Sequence, residues 1–495
     1  MRVLLLVLLL AICAGAGFFD TKLGQKIKKT LGKIKALLHN IIKFSALNGT
    51  LLMAIREKFI RLRERIKAKL TLSPARKALL GEILKHITHV KKDRIQEKGD
   101  SIEEINENSD IGELLYQGDI VLTHQQAQEI VEDIEGDKED RAKRQAFRNR
   151  NYPRTLWSNG VYYYFHRNAT PDKIRVFKEK GCWSYIGRIG GQQDLSLGHG
   201  CGSVGTAAHE IGHAIGFYRT QSRHDRDNFI TFNPQNVKPD WLDQFAKQTT
   251  ETNENYGITY DYGSIMHYGA NSATQNGRPT MVPHDPKYVE TLGSPIISFY
   301  ELLMTNTHYE CTSEIRFHID TLAYAKQLFN LIQRIAIQLL LRSVSRPDAD
   351  LYTKQPLSIN PSMTNLDEQD KYQGRIWTSV TIGSRGAPQL AFQAPQGSKI
   401  EIKIAGLSRG SAVDGCKYWG VEIKTHADQR LTGYRFCAPE HIGVRLVSNF
   451  HIVPMITYNR IYPTSVNIQY RIVGGNVGGL VPQPRTNNNC VDNQE

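Results

Sequence analysis

Apolar residues recur at helical spacing through residues 22–70. The first of these positions hold Leu23, Ile27, Leu31, Ile34, Leu38 and Ile41. Lysines occupy many of the positions between them, so the segment is predicted to be a basic amphipathic helix. Such a helix either lies on a membrane surface or covers the apolar surface of a partner domain.

Near the other end of the chain the apolar period changes to two. Residues 399–404 alternate strictly between a charged residue and isoleucine, and residues 466–472 alternate between apolar and polar residues. Turn-forming residues return about every ten positions, as in antiparallel sheets. An all-β sandwich is therefore predicted over residues 365–473.

The middle of the chain mixes short elements with loops. Residues 113–123 predict two short extended runs around a Gly-Asp turn, and the aromatic residues at 157–165 predict a strand. Residues 182–201 are glycine-rich and strand-forming, and a helix is predicted to follow. Residues 312–364 contain no cysteine, and no function is assigned to them.

The amino terminus has the pattern of a secretory signal. Arg2 precedes an apolar run at 3–14 and small residues at 15–17, a run too short to span a bilayer. A secreted, extracellular protein without a stable membrane span is predicted. Six cysteines after the signal suit disulfides in an oxidising compartment. Asn48 and Asn168 stand in glycosylation triplets.

By itself, the net charge of +13 suggests a nucleic-acid or anionic-membrane partner. The charge is uneven, because residues 18–100 carry +14 and residues 101–144 carry −9. The acidic stretch ends in Arg-Ala-Lys-Arg, which predicts cleavage after Arg144 by a processing protease; the alternative is a charge run on a surface. Cleavage would remove a basic pro-segment whose helix covers the partner domain, so no nucleic-acid partner is predicted.

Two histidines and a glutamate are the strongest candidates for chemistry. His209 and His213 stand four positions apart, so on a helix both imidazoles can reach one zinc ion. Glu210 is placed to take a proton from water and to pass it to a leaving amine. Gly216 lets the backbone leave the helix sharply. Because the His-Glu-x-x-His pattern is short, a helix with surface histidines is the alternative.

The pattern continues, and the longer sequence resembles the astacin family of metzincin zinc peptidases. The resemblance rests on HEIGHAIGF at 209–217, SRHDRD at 222–227 and SIMHY at 264–268, and it extends to flanking stretches at 181–201 and 291–311. It implies an α+β catalytic domain with an upper sheet, an active-site helix and a loop-rich lower half. It also implies peptide-bond hydrolysis with one Zn²⁺ per peptidase domain.

The resemblance implies a role for each matching residue. His209 and His213 would bind zinc, and Glu210 would be the general acid and base. Met266 would form the hydrophobic floor under the metal. Tyr268 would be a labile ligand that swings to stabilise the oxyanion.

Further expectations concern cysteines and the pro-segment. Cys182 and Cys201 match one family disulfide, and the C-terminal sandwich resembles a CUB domain stapled by Cys416 and Cys437. The sequence Tyr-Gln-Gly-Asp that ends at Asp119 is similar to the family's switch, in which the aspartate occupies the water position on zinc and keeps the zymogen inactive. An ordinary Gly-Asp turn is the alternative.

The predicted fold is multidomain. It comprises a signal peptide at 1–17, a helical pro-segment at 18–144, an astacin-like peptidase domain at 145–311, an atypical linker at 312–364, an all-β CUB-like domain at 365–473 and a tail at 474–495.

The sequence departs from the family pattern at three positions. Arg219 stands where the third zinc histidine is expected, and a guanidinium is always protonated and cannot ligate zinc. Thr220 replaces a glutamate, which puts the family's lock on the new amino terminus in doubt. Cys311 lacks its usual partner, and Cys490 has no assigned partner.

Three functional hypotheses follow. The leading one is a secreted zinc endopeptidase that is made as a zymogen and acts on extracellular proteins, with matrix or cuticle proteins suggested by analogy. The second is a catalytically impaired homologue that acts as a CUB-mediated binding protein, which Arg219 favours. The third, a membrane-active peptide from residues 18–100, rests on composition alone.

Overall fold

The computed structural model describes ten ranges of the chain: 49–136, 146–148, 151–158, 160–161, 172–250, 252–311, 362–365, 377–383, 389–461 and 464–474. The predicted signal peptide, Arg144, Asn48, Asn168 and Cys490 lie outside these ranges. Among the helices of the described ranges, none is long and apolar enough to cross a membrane.

Within residues 49–136, which the structure describes, four α-helices form: α1 Gly49–Leu70, α2 Pro74–Leu84, α3 Ile102–Glu107 and α4 His124–Glu135. Capping boxes begin α3 at Ser101 and α4 at Thr123, which satisfies the free amides of their first turns. The buried stripe of α1, which includes Phe59 and Ile66, packs against α4 and the core around Trp241. The described part of the amphipathic helix therefore covers a partner domain, as predicted.

The strands of this half of the chain begin with β1 Ile120–Val121, β2 Ala146–Phe147, β3 Lys173–Phe177, β4 Cys182–Tyr185 and β5 Gln192–Leu197. Strands β1, β4, β5 and β3 form one mixed sheet in that order. Strand β1 pairs in parallel with β4, so the predicted pro-segment supplies an edge strand to the sheet.

One of the short-element predictions was wrong in part. Of the two extended runs predicted around the Gly-Asp turn, residues Gly112–Leu114 form a 3₁₀ turn, and only the second run becomes a strand. Residues 159 and 162–165 of the strand predicted at 157–165 lie outside the described ranges, so that strand stays a prediction. Trp157 lies in a loop, and its indole N–H donates to the carbonyl oxygen of Ala214 at 2.9 Å.

The active-site helix α5 Val204–Ala214 begins where the side chain of Ser203 accepts from the amide of Thr206. The predicted disulfide between Cys182 and Cys201 is present and ties β4 to the chain just before this helix. The loop-rich half that follows contains β6 Ile230–Phe232, β7 Asn253–Glu254, β8 Met281–Pro283 and α6 Phe299–His308. Strand β2 pairs with β7, and β6 pairs with β8.

The C-terminal region is a β-sandwich, as predicted. Its strands are β9 Ser362–Asn365, β10 Thr378–Gly383, β11 Gln389–Gln393, β12 Lys399–Leu407, β13 Trp419–Ile423, β14 Tyr434–Phe436, β15 Arg445–Val447, β16 Ile452–Asn459 and β17 Ser465–Val473. One sheet has the order β10-β17-β12-β15 and the other β14-β13-β16-β11-β9. The alternating isoleucines of β12 point into the core, and the predicted Cys416–Cys437 disulfide is present.

The sandwich packs directly on the peptidase region. The guanidinium of Arg435 donates to Ser294 Oγ at 2.6 Å, and the amide of Asn271 donates to Asp414 Oδ2 at 2.8 Å. A Cβ on Gly415 would lie 2.0 Å from the carbonyl oxygen of Gly293, so the two backbones approach closely there.

Candidate active site and metal centre

Helix α5 brings the two predicted zinc histidines together. The Nε2 atoms of His209 and His213 lie 3.0 Å apart, and both side chains are buried. Each Nδ1 lies 2.7 Å from a backbone carbonyl oxygen, that of Ile265 for His209 and that of Phe217 for His213. A carbonyl only accepts hydrogen bonds, so each Nδ1 carries the proton and each Nε2 presents a lone pair.

Asp119 completes a set of three side chains that could each supply a ligand atom to one metal ion. Its Oδ2 lies 3.0 Å from His209 Nε2, and its Oδ1 lies 3.2 Å from His213 Nε2. Burial and the neighbouring guanidinium of Arg219 lower the pKa of His209 to about 4, so this imidazole is neutral at pH 7. Two imidazole lone pairs and a carboxylate thus face one another without a proton between them, and this donor set fits a zinc ion.

The backbone around Asp119 is shaped for this approach. Gln117 and Gly118 both adopt positive φ, 48° and 79°. A Cβ on Gly118 would lie 2.6 Å from the hydroxyl oxygen of Tyr268, so glycine is required at this turn. The Ser184 amide donates to the Asp119 carbonyl oxygen at 3.1 Å and fixes the turn to strand β4.

Arg219 does not face the site as a ligand; it binds Asp119. Its Nη2 contacts Asp119 Oδ2, and its Nε lies 3.2 Å from Asp119 Oδ1. The same Nε donates to the Gln117 carbonyl oxygen at 3.1 Å, and the guanidinium lies over the Tyr268 ring at 4.1 Å. Although burial raises the pKa of Asp119, the charge of Arg219 outweighs it and holds that pKa well below its usual range.

Glu210 occupies the same buried space. Within the part of the chain that the structure describes, neither carboxylate oxygen of Glu210 has a hydrogen-bond partner. Burial, and next the nearby charge of Asp119, raise the pKa of Glu210 well above its ordinary value. A buried carboxyl group whose pKa is raised in this way is suited to general acid and base chemistry.

Met266 lies against α5, and Tyr268 lies against the turn that precedes Asp119. A Cβ on Gly212 would lie 2.7 Å from Met266 Sδ, which shows how tightly this methionine packs beneath the helix. The hydroxyl of Tyr268 donates to the Gln117 carbonyl oxygen at 2.7 Å, and burial raises the pKa of Tyr268 well above its ordinary value. The phenol is therefore a neutral donor.

Sequence reasoning missed the residues that hold the turn at Gly118 and Asp119 in place. The Asn106 side chain donates to the Gly118 carbonyl oxygen at 2.8 Å and accepts from the Cys182 amide at 2.7 Å. Gln244 accepts from the Gly118 amide at 3.0 Å. A single buried amide side chain carries no spacing signal, so the sequence offered no means of finding them.

Thr220 belongs to a hydrogen-bonded chain beside the site. Its hydroxyl lies 2.7 Å from Ser264 Oγ, which donates to Glu301 Oε1 at 2.6 Å. Burial raises the pKa of Glu301 to about 7. Cys311 is an exposed free thiol among the described residues, consistent with the absence of its expected partner.

The chain matches known proteins over this site and beyond. Residues 142–310 match the peptidase family described as Astacin. Zinc metalloproteinase nas-31 of Caenorhabditis elegans is 38% identical to this chain over 86% of the chain and 76% of its own length. Zinc metalloproteinase nas-32 of the same organism is 31% identical over 76% of the chain, which spans 61% of nas-32.

A hatching zinc protease with a solved structure is also similar. High choriolytic enzyme 1 of Oryzias latipes is 30% identical, with 39% of this chain and 88% of that chain covered, and the TM-score is 0.28.

Proposed function

Because this chain belongs to the astacin family of zinc metalloendopeptidases, we propose that it is the zymogen of a secreted peptidase whose pro-segment ends at Arg144. The observation that carries the proposal is the position of Asp119. This aspartate, which precedes the processing residue in the chain, lies against the Nε2 atoms of both histidines. A carboxylate in that position excludes substrate and water, which explains a latent precursor.

In the zymogen, His209, His213 and Asp119 would hold a single zinc ion. When bound, zinc supplies a Lewis acid that polarises the scissile carbonyl group. Removal of the pro-segment would take Asp119 away and leave the two histidines, with Tyr268 nearby. Arg219 supplies no metal ligand, either before or after removal of the pro-segment.

The chain's own residues supply the proton chemistry. Glu210 would take a proton at its carboxylate from the attacking water and would return it to the leaving amine. The hydroxyl of Tyr268 now donates to the Gln117 carbonyl oxygen, and the same donor would be available to the oxygen of a substrate carbonyl group. The apolar floor at Met266 would help to exclude water.

The proposal extends to the environment and to partners. The signal sequence, the six cysteines after it and the processing sequence support secretion and activation by a processing protease. The substrates would be extracellular proteins, with matrix or cuticle proteins favoured by analogy. We also assign the C-terminal sandwich as CUB-like on its disulfide and its two sheets, which are antiparallel except where β11 pairs in parallel with β9.

A second function is favoured by one observation. Arg219 places a buried positive charge beside the two histidines, and this charge opposes metal binding once Asp119 is gone. In that case the mature chain would be a catalytically impaired homologue that binds proteins through its C-terminal sandwich.

One experiment separates the two functions. The chain is cut after Arg144, and zinc content and chelator-sensitive hydrolysis of a protein substrate are measured for the wild type, Glu210→Ala and Arg219→His. Wild-type hydrolysis that disappears in Glu210→Ala would establish the peptidase. Hydrolysis only in Arg219→His would reject the peptidase function for this chain and favour the binding protein.

A further inference from the structure

A cavity of about 450 Å³ extends from the metal centre to the C-terminal sandwich. His209 and Tyr268 line it at one end, Ser294 lies on its wall, and Lys92 and Asp414 line it at the other end. The cavity therefore joins three parts of the chain: the pro-segment, the peptidase region and the sandwich. Substrate that replaces the pro-segment at the histidines would have direct access to the far end.

The far end holds one ammonium group between two carboxylates from different domains. Lys92 Nζ lies 2.5 Å from Glu290 Oε2 of the peptidase region and 2.9 Å from Asp414 Oδ1 of the sandwich. Glu290 is only 2% exposed, whereas the Lys92 side chain is 21% exposed. The pro-segment thus inserts a basic side chain into a pocket whose acidic walls belong to the rest of the protein.

Contacts that do not involve Lys92 position both carboxylates. Glu290 lies in the 3₁₀ segment Pro286–Thr291, and Asp414 Oδ2 accepts the amide of Asn271 at 2.8 Å. The close approach of Gly415 to Gly293 fixes the backbone beside Asp414. The pocket is therefore built by the packing of the sandwich on the peptidase region, and departure of the pro-segment removes none of these contacts.

The neighbouring pro-segment residues bind the sandwich on either side of a turn at residues 96–98. Asp93 Oδ2 accepts from the Ala412 amide at 2.8 Å, and its own amide donates to the Ala412 carbonyl oxygen at 2.8 Å. Asp100 Oδ1 accepts from the hydroxyl of Tyr418. Residues 92–100 therefore show how a peptide is held along the contact between the peptidase region and the sandwich, which we call the seam. Lys92 lies in the acidic pocket of this seam.

We propose that Glu290 and Asp414 form a substrate subsite that binds a lysine or arginine side chain after the pro-segment leaves. This inference rests on the proposed peptidase function, in which substrate takes the place of the pro-segment. Departure of Lys92 leaves the buried carboxylate of Glu290 near the partly exposed carboxylate of Asp414, and two such groups without a cation are unfavourable. A basic side chain restores the compensation, whereas a neutral side chain of similar length does not.

The test is a binding measurement that does not require catalysis. The full chain is cut after Arg144 and purified from its pro-segment, and fluorescence anisotropy reports the binding of two labelled peptides. One peptide has the sequence of residues 87–101, and the other carries Lys92→Gln. Proteins with Glu290→Gln and Asp414→Asn are compared with the matched control Glu440→Gln, which changes an exposed carboxylate of the sandwich.

We expect the lysine peptide to bind the wild type and Glu440→Gln at least about tenfold more tightly than the glutamine peptide. This preference should disappear in both pocket variants, and agreement between the two guards against misfolding of either. Equal binding of the two peptides, including no measurable binding of either, would overturn the subsite, as would a preference that survives in Glu290→Gln. Hydrolysis is measured separately. A lysine preference without hydrolysis rejects the peptidase function and keeps the subsite. Hydrolysis without the lysine preference keeps the peptidase function and rejects the subsite.

Discussion

The metal centre and the seam beside the C-terminal sandwich use buried ion pairs of opposite polarity. At the metal centre the pro-segment provides the anion, Asp119, and the peptidase region provides the cation, Arg219. At the seam the pro-segment provides the cation, Lys92, and the rest of the chain provides Glu290 and Asp414. Departure of the pro-segment therefore leaves a buried positive charge at one end of the cavity and buried negative charge at the other.

The two ends respond differently to this loss. A buried cation beside two imidazoles disfavours the binding of a metal ion. Arg219, the residue that holds the pro-segment, would therefore weaken metal binding. The two carboxylates of the seam instead create a place for a basic side chain. One removable segment can thus close a site at one end and preserve the shape of a binding pocket at the other.

The largest effect is expected from Asp119→Ala in the uncut chain. Without the carboxylate, Arg219 is buried without a counter-charge, which costs about 3–5 kcal/mol. Hydrogen exchange of the amides at 115–121, measured in the presence of a zinc chelator, should accelerate accordingly. Gln125→Ala, an exposed change on α4, is the control. Unchanged exchange in Asp119→Ala would mean that Arg219 does not hold the switch.

The next effect concerns Arg219→His in the chain cut after Arg144. A third imidazole replaces a repelling charge, so the zinc dissociation constant should fall at least about 100-fold, or about 2.7 kcal/mol. Competition with a chromophoric chelator measures it. Arg430→His, at an exposed position of the sandwich, should leave zinc binding unchanged. Equal zinc affinity of the wild type and Arg219→His would show that the charge of Arg219 does not oppose metal binding, and the two ends of the cavity would then not differ in this respect.

A smaller effect is expected from Lys92→Met at the seam. The two carboxylates lose their cation, but Lys92 is partly exposed, so the cost should be about 2 kcal/mol. After cleavage at Arg144, the pro-segment should dissociate about 30-fold faster, as measured by size-exclusion chromatography over time. Lys91→Met changes an exposed neighbour and is the matched control. Equal dissociation of the two variants would show that the seam does not hold the pro-segment.

Glu301 shows how a buried carboxyl group behaves without a cation. Burial raises its pKa from 4.5 to about 7, so between these pH values the folded state binds more protons than the unfolded state. The free energy of unfolding should therefore fall as pH rises through this window, by at most about 1.4 kcal/mol per pH unit. Urea unfolding at pH 5, 6 and 7 should show this slope in the wild type and a smaller slope in Glu301→Gln. The same slope in both proteins would assign the pH dependence to other groups.

Local sequence patterns predicted a large part of this structure. The spacing of His209 and His213 required a helix, and Val204–Ala214 is that helix. The strict alternation at 399–404 required a half-buried strand, and its isoleucines are in the sandwich core. These predictions succeeded because periodicity and short spacing act over one or two turns of a helix or along a single strand. The first of the two extended runs predicted around the Gly-Asp turn became a 3₁₀ turn at Gly112–Leu114 instead, so a short apolar run is a weaker signal than a long periodic one.

Residue types and spacing pointed to the two histidines and Glu210, and the resemblance to the astacin family added Asp119, the substitution at position 219 and the Cys182–Cys201 disulfide. Only the tertiary structure placed Arg219 on Asp119, one hundred residues earlier, and Lys92 between Glu290 and Asp414. Such pairs form because distant segments are packed together and buried charges must then be compensated. That requirement depends on burial, and burial is a property of the whole fold.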